Sequence, residues 1–211
     1  MSRDLRAELR GVLPENTLNL VTRSFDILGS KRKAVAIIEI PDELEDYESA
    51  IAEALMRVNK NVTSVLSKES GRRGEYRTRD LRLIAGDPDT EVLHRESGCV
   101  FRLDPRRVYF SPRESSERSR LVSAAGEDED VLVMFSGVGP IPIRLAKEHS
   151  EMRITAVELN PIAHNYCVDN IHLNRVSGKI GAFQGDVRTV CPSLGRLYDR
   201  VLMPLPKGAY R

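Results

Sequence analysis

The stretch from Asp130 to Pro140, DVLVMFSGVGP, decides the fold class of the second half of this chain. It begins with an apolar, β-branched run typical of a buried strand, and Gly137 and Gly139 follow where that strand ends. Pro140 then suits the first turn of a helix. A buried strand, a glycine turn and a helix in this order are typical of the opening of a doubly wound parallel sheet.

The residues on either side of this stretch alternate between strand and helix patterns. Strands are expected over 130–135, 153–158, 179–184 and 200–203, and helices over 114–125, 140–149 and 161–174. Alternation at this spacing predicts an α/β domain with a parallel, Rossmann-like sheet. We place this domain at residues 113–211.

Residues 1–112 have a different pattern, which predicts an α+β domain. Helices are expected over 3–12 and 42–56, with Asp42 as the N-cap of the second, and strands over 33–40, 62–66, 81–85, 91–95, 99–103 and 108–110. The polar, glycine-bearing residues 71–79 are expected to form a loop. The chain is therefore predicted to contain two domains, 1–112 and 113–211.

The composition narrows the class of protein. The 211 residues include 41% hydrophobic ones, too many for a disordered chain, and no apolar run approaches the ~20 residues that span a bilayer. Three cysteines without a CxxC pair indicate a reducing compartment, so we expect a cytoplasmic protein with no membrane partner. The spacing of His164, Cys167 and His172 matches no recognised metal motif, so no metal is expected.

The charges nearly cancel, with 32 Lys+Arg against 31 Asp+Glu, which argues against a wholly basic surface. A local basic patch remains possible between residues 68 and 82. Its members are Lys68, Arg72, Arg73, Arg77, Arg79 and Arg82. Such a run can contact nucleic acid, or it can be an ordinary solvated face.

Polar groups follow three successive strands of the predicted parallel sheet. The glycine turn follows the first strand, Glu158 ends the second and Asp186 follows the third. The carboxyl ends of parallel strands meet at one edge of the sheet, where an acid can hold ribose hydroxyls. Pro142 replaces the third glycine of a dinucleotide fingerprint, and the chain contains no GxxxxGK[ST] loop. These residues favour a nucleotide or nucleoside without a pyrophosphate; the alternative is a set of ordinary turn glycines and exposed acids.

Six motifs together carry a resemblance to one enzyme family. They are GEYRTRDLRLIAG (74–86), VYFSPRESSER (108–118), FSGVGP (135–140), AVELNP (156–161), GDVR (185–188) and MPLPK (203–207). From about residue 25 onward the chain resembles the archaeal and eukaryotic tRNA (guanine-N1-)-methyltransferases that act at position 37, and the wybutosine-pathway enzymes that share their scaffold. The resemblance implies a class I methyltransferase fold, S-adenosylmethionine as methyl donor and the anticodon region of tRNA as partner.

The resemblance also implies roles for individual residues at the donor site. Phe135, Gly137 and Gly139 would line the donor, Glu158 would bind its ribose and Asp186 would lie near its adenine.

For the reaction itself, Glu117 matches the family's general base and Arg77 the arginine that contacts the base carbonyl. A base is needed because guanine N1 carries a proton, and a guanidinium can oppose the negative charge that then develops on O6. By its sequence alone, Glu117 could equally be an exposed helix residue paired with Arg113 or Arg120. Substrate contacts are expected at Arg79, Arg113, Arg118, Pro204 and Pro206.

The chain departs from the family pattern at three places. Pro204-Leu205-Pro206 stands where Asn-Leu-Pro is usual, and Val133 stands where an acid often ends the first strand. The chain also ends soon after the fourth strand, whereas a complete domain has three more, so we expect a domain truncated after its fourth strand.

Three functions are consistent with these residues. The first is methylation of guanosine N1 at tRNA position 37. The second is a wybutosine-pathway reaction on the same scaffold, either imidazole-carbon methylation or aminocarboxypropyl transfer. The third is that of a non-catalytic tRNA-binding fragment.

Overall fold

The computed structural model describes residues 4–71, 74 and 76–204. The chain divides into two compact units, which are treated separately below. Among the described residues, no helix combines the length and the apolar character needed to cross a membrane.

The first unit is built on a sheet with strand order β1-β2-β3-β4. Its elements are α1 (Leu5–Glu8), α2 (Glu15–Leu18), β1 (Asp26–Gly29), β2 (Ala34–Ile38), α3 (Glu48–Val58), β3 (Val62–Lys68) and β4 (Leu81–Gly86). Strands β2 and β3 are parallel and joined through α3, while β1 and β4 pair antiparallel at the two sides. Ile51 and Leu55 of α3 are fully buried in the core, in keeping with the apolar face read from the sequence. The expected α+β class is confirmed.

The second unit contains the predicted parallel sheet. After β5 (Val92–Glu96), its elements are β6 (Cys99–Leu103), α4 (Ser115–Ser123), β7 (Asp130–Met134), α5 (Pro140–Glu148), β8 (Arg153–Glu158), α6 (Pro161–Leu173), β9 (Ile180–Gln184), α7 (Val187–Ser193) and β10 (Arg200–Leu202). Within the described residues, β7 to β10 are all parallel and lie in the order β10-β7-β8-β9. The Rossmann-like class is confirmed, and the strand order reverses between β7 and β10, where ligands of such sheets bind.

Several elements differ from those expected. Residues Asp42–Tyr47 form a 3-10 helix, and α3 begins after it, so Asp42 is not the N-cap of α3. The expected strand over Val108–Phe110 is wrong, because this irregular segment leads directly into a 3-10 helix at Pro112–Glu114. Helix α7 is not apparent from the sequence, because it carries Pro192 inside it and has no buried residue to mark an apolar face.

The division between the units falls between His94 and Arg95, with Asp104–Arg106 assigned to the first unit, whereas the sequence pattern placed it at 112. The reason is that β6 packs closely against α6 of the second unit. A sequence that turns from strand patterns to alternating strands and helices at residue 113 does not reveal this packing.

Candidate functional site

The turn that follows β7 has a strained backbone. Phe135, Gly137 and Gly139 all have positive φ angles, of 56°, 55° and 89°. For Phe135 this conformation is costly, because an L side chain crowds its own backbone there, and such outliers concentrate at functional sites. Two hydrogen bonds between backbone groups shape the turn: Ser136 N donates to Val157 O at 3.0 Å, and Gly139 N donates to Ser136 O at 3.0 Å.

The two glycines of the turn have different surroundings. A Cβ added at Gly139 would lie 2.9 Å from Cys167 Sγ and 3.0 Å from Ile143 Cδ1, so neighbouring side chains leave no room for one. A Cβ added at Gly137 would come no nearer than 4.0 Å to another atom, the carbonyl oxygen of Tyr109. The positive φ angle favours glycine at both positions; packing adds a second requirement at Gly139, whereas Gly137 leaves space beside it.

Glu158 lies at the carboxyl end of β8 and contacts the turn directly. Its Oε2 accepts a hydrogen bond from Gly137 N at 2.7 Å, and its Oε1 accepts one from Asn160 N at 2.8 Å. Burial raises the pKa of the Glu158 carboxyl, although the backbone N–H groups that it accepts act in the opposite direction. Leu159 supplies a third backbone N–H to this carboxylate. The two oxygens offer about four lone-pair sites, so the group can still accept a hydrogen bond from a ligand.

Asp186 follows β9 at the same edge of the sheet and caps α7. Its Oδ1 accepts from Arg188 N at 2.8 Å, and its Oδ2 pairs with Arg188 Nη2 at 2.5 Å. These hydrogen bonds, the side-chain one first, lower the pKa of Asp186 to about 2. Gly185 N donates to Glu158 O at 2.9 Å, which holds the ends of β8 and β9 together. The pairing of Arg188 with Asp186 is not predicted from the sequence, where the signal for Arg188 is its place in the GDVR motif.

Pro204 follows β10 and is partly buried, which places a fourth predicted residue beyond the carboxyl ends of the same parallel strands. Pro206 lies outside the described residues. The structure thus brings the turn, Glu158 and Asp186 to one edge of one sheet, as predicted from the polarity of parallel strands, and Pro204 lies beyond the end of a fourth strand of that sheet.

Glu117 lies in the first turn of α4, and its side chain is 55% exposed. Both carboxylate oxygens accept hydrogen bonds from Arg120, at 2.8 and 2.6 Å, and this pairing lowers the pKa of Glu117. The pairing with Arg120 that helical spacing suggested is therefore present. The carboxylate is ionised at neutral pH and accessible from solvent.

Arg118 is not placed for the substrate contact predicted for it. Its guanidinium is buried, donates to both oxygens of Glu96 at 2.8 and 2.6 Å and to Ser111 O at 3.0 Å, and lies over the ring of Phe110. It anchors α4 inside the second unit. Arg113, in contrast, is exposed in the short 3-10 helix that precedes α4.

The predicted basic patch belongs to the first unit and is partly neutralised. Arg82 pairs with Glu48 at 2.8 Å and with Glu69 at 3.1 Å, so two carboxylates neutralise its charge. Arg77 and Arg79 are partly buried, and Arg77 has a positive φ of 51°. Arg72 and Arg73 lie outside the described residues.

The described residues contain no group of three or more His, Cys, Asp or Glu side chains arranged to hold a metal ion. The cysteine at position 167 is buried under the turn, and burial raises its pKa to about 12, so it is a neutral packing group.

Comparison with known proteins gives two matches to family models. Residues 92–211 match the TRM5/TYW2 methyltransferase domain, and residues 5–90 match the TYW2 N-terminal domain. The boundary between these two matches lies close to the division between the compact units.

Individual relatives agree with these matches. The chain is 43% identical over 198 residues to the tRNA (guanine(37)-N(1))-methyltransferase Trm5b of Pyrococcus abyssi, which covers 94% of this chain and 57% of the relative. A solved complex of aTrm5 and tRNALeu aligns with a TM-score of 0.84 at 30% identity, covering 98% of this chain and 59% of the other. Pyrococcus horikoshii TYW2 in complex with MeSAdo aligns with a TM-score of 0.71 at 31% identity, covering 90% and 65%. The chain thus spans little more than half the length of the Pyrococcus abyssi relative.

Proposed function

Because this chain belongs to the TRM5/TYW2 methyltransferase domain family, we propose that its second unit binds S-adenosylmethionine. We further propose that the protein methylates N1 of guanosine at position 37 of tRNA. The Pyrococcus abyssi relative is named as a tRNA (guanine(37)-N(1))-methyltransferase, and the related aTrm5 was solved in complex with tRNALeu.

The observation that carries the proposal is the contact between Glu158 and the glycine turn. The 2.7 Å hydrogen bond from Gly137 N to Glu158 Oε2 joins the carboxyl ends of two neighbouring parallel strands. A nucleoside at this edge would lie against the uncrowded Gly137, with its ribose hydroxyls donating to Glu158. The residues present therefore fit a nucleoside donor, and we propose that Asp186, on the next strand end, lies near its base.

The donor supplies a methyl group activated on a sulfonium. Glu117, which is ionised and exposed, would take the proton from guanine N1 and so free the nitrogen lone pair for methylation, with the donor's sulfur released as a neutral thioether. The guanidinium of Arg77 opposes the negative charge that deprotonation places on O6. Arg113 is exposed for a phosphate contact, and Arg79 is the alternative to Arg77. The protein otherwise contributes alignment of the two reactants.

Donor binding is tested by titrating the 211-residue chain with S-adenosylmethionine in a calorimeter. Glu158→Gln replaces a charged acceptor by a neutral one, so we expect about fivefold to tenfold weaker binding. Glu151→Gln, at an exposed position before β8, is the matched control and should leave the affinity unchanged. A wild-type chain that binds tRNA in a salt-sensitive way but binds no donor would instead favour the non-catalytic fragment.

Methyl transfer is tested with labelled donor and a tRNA transcript that carries guanosine at position 37. A transcript with adenosine at that position is the substrate control. Glu117→Gln should slow the chemical step, while Glu151→Gln should not. Absence of label from a chain extended to the length of its curated relatives would overturn the proposed reaction.

A wybutosine-pathway reaction is the second candidate, and two observations favour it. Residues 5–90 match the TYW2 N-terminal domain, and Pro204 provides no side-chain amide where the related methyltransferases usually have asparagine. Mass analysis of the modified nucleoside separates the candidates, because a methyl group and an aminocarboxypropyl group add different masses. A product that forms only on a tricyclic base would support the wybutosine-pathway reaction and contradict methylation of guanosine N1.

A further inference from the structure

Two asparagines of α6 hydrogen-bond to one edge of strand β6. Asn170 Oδ1 accepts from Arg102 N at 2.7 Å, and Asn170 Nδ2 donates to Arg102 O at 3.0 Å. Asn174 repeats the pattern on Val100, accepting from its N at 3.0 Å and donating to its O at 2.6 Å. Four residues along a helix rise about 6 Å and two along a strand about 6.6 Å, so the two amides match the spacing of the strand.

The two asparagines differ in one contact. Asn170 Nδ2 also donates to Val138 O at 3.0 Å, whereas Asn174 Nδ2 donates to Asn170 O of its own helix at 2.8 Å. Val138 stands between the two glycines of the turn. Asn170 is completely buried, and it connects the turn to β6 through one side-chain amide.

This contact restrains one particular peptide group. The peptide between Val138 and Gly139 has its C=O held by Asn170 and its N–H held by Ser136 O at 3.0 Å. Glycine opposes rotation of such a peptide only weakly, because positive and negative φ angles are similarly accessible to it. Rotating the peptide would break both hydrogen bonds and leave the buried carbonyl without a partner, which is costly.

We propose that Asn170 is a positioning residue of the donor site: its amide fixes the Val138–Gly139 peptide and thereby the shape of the turn that receives the nucleoside. The inference rests on the proposed function for the identity of the ligand. The restraint itself is a property of the turn and of α6, whatever the ligand.

The test compares Asn170→Ala with Asn174→Ala in the 211-residue chain. Each change removes one buried amide with three hydrogen bonds, but only the first removes the bond to the turn. Hydrogen exchange of the Gly139 amide, measured under conditions where both variants are folded, should accelerate at least tenfold in Asn170→Ala relative to Asn174→Ala. The dissociation constant for S-adenosylhomocysteine should rise at least fivefold in Asn170→Ala and less than twofold in Asn174→Ala.

Equal effects of the two substitutions on Gly139 exchange would overturn the positioning role and leave only a structural one. If Asn170→Ala does not fold, Asn170→Ser and Asn174→Ser replace the pair, because serine is nearly as small and its hydroxyl brings no charge into the buried site. A wild-type chain that does not bind the nucleoside would contradict the proposed function, while the exchange comparison would still decide the role of Asn170.

Discussion

Replacing Gly139 by alanine should destabilise the second unit more than the same change at Gly137. Both positions have positive φ, so each alanine costs about 1–2 kcal/mol in backbone strain, offset by about 0.4–1 kcal/mol from the stiffer unfolded chain. At Gly139 the new Cβ also meets Cys167 Sγ at 2.9 Å and Ile143 Cδ1 at 3.0 Å, and overpacking of this kind costs about 1–3 kcal/mol. We expect a loss of about 1–4 kcal/mol for Gly139→Ala and about 1 kcal/mol for Gly137→Ala.

Urea unfolding followed by circular dichroism measures both losses. A second substitution, Cys167→Ala, removes the nearer of the two atoms that crowd the new Cβ. The double variant Cys167→Ala/Gly139→Ala should therefore lose about 1 kcal/mol less unfolding free energy than the sum of the two single variants. Cys167→Ala should have no such effect on Gly137→Ala. Equal stabilities of the two glycine variants would refute the conclusion that packing requires Gly139.

Three further predictions concern the charged groups of the second unit. Glu96→Ala removes the nearer carboxylate from the buried guanidinium of Arg118 and leaves Glu114 Oε2, 3.7 Å from Nη1, as a more distant partner. We expect a loss of about 3 kcal/mol, at the lower end of what breaking a buried ion pair costs. Combining Glu96→Leu with Arg118→Met should recover most of that loss in urea unfolding, and a double variant no more stable than the single one would contradict this. Arg120→Gln removes the hydrogen bonds that lower the pKa of Glu117, so the pKa of that carboxyl should rise toward its ordinary value. A carbon NMR titration measures this pKa, and an unchanged value would show that Glu117 and Arg120 do not pair in solution. Burial raises the pKa of Glu158 in the folded state, so the folded chain keeps this proton at pH values where the unfolded chain has lost it. The free energy of unfolding, relative to that of Glu158→Gln, should therefore fall as the pH rises from the unfolded pKa to the raised folded pKa. A difference that stays constant across this pH range would contradict the raised pKa of Glu158.

The arrangement of the candidate site could be predicted from the sequence because it follows from strand polarity. Once the alternation of strands and helices indicates a parallel sheet, residues that follow successive strands must meet at one edge. Glu158 and Asp186 were placed there on this ground alone, and the helical pair of Glu117 and Arg120 follows from a spacing of three residues. These inferences need only local periodicity.

Contacts between distant segments could not be predicted in the same way. The pairing of Arg118 with Glu96 joins residues 22 apart, and the hydrogen bond of Asn170 to Arg102 joins residues 68 apart. A charged residue on a polar helix gives no sign that its side chain points inward. For this reason the sequence does not reveal that Arg118 is buried away from a substrate, nor that Asn170 contacts the turn.

The strained turn persists because elements distant in sequence restrain it. Phe135 and the two glycines would each relax readily in a free loop, and positive φ at three of five residues is not a conformation that local sequence sustains. From helix α6, the Cys167 sulfur packs against Gly139 and the Asn170 amide donates to the carbonyl oxygen of Val138. From the end of β8, the Glu158 carboxylate accepts a hydrogen bond from the N–H of Gly137. With its shape set by these contacts, the turn needs little ordering when a nucleoside binds, so binding loses less conformational entropy than it would with a mobile glycine loop. A substitution in α6 that never touches the ligand can therefore weaken its binding as much as one in the turn itself.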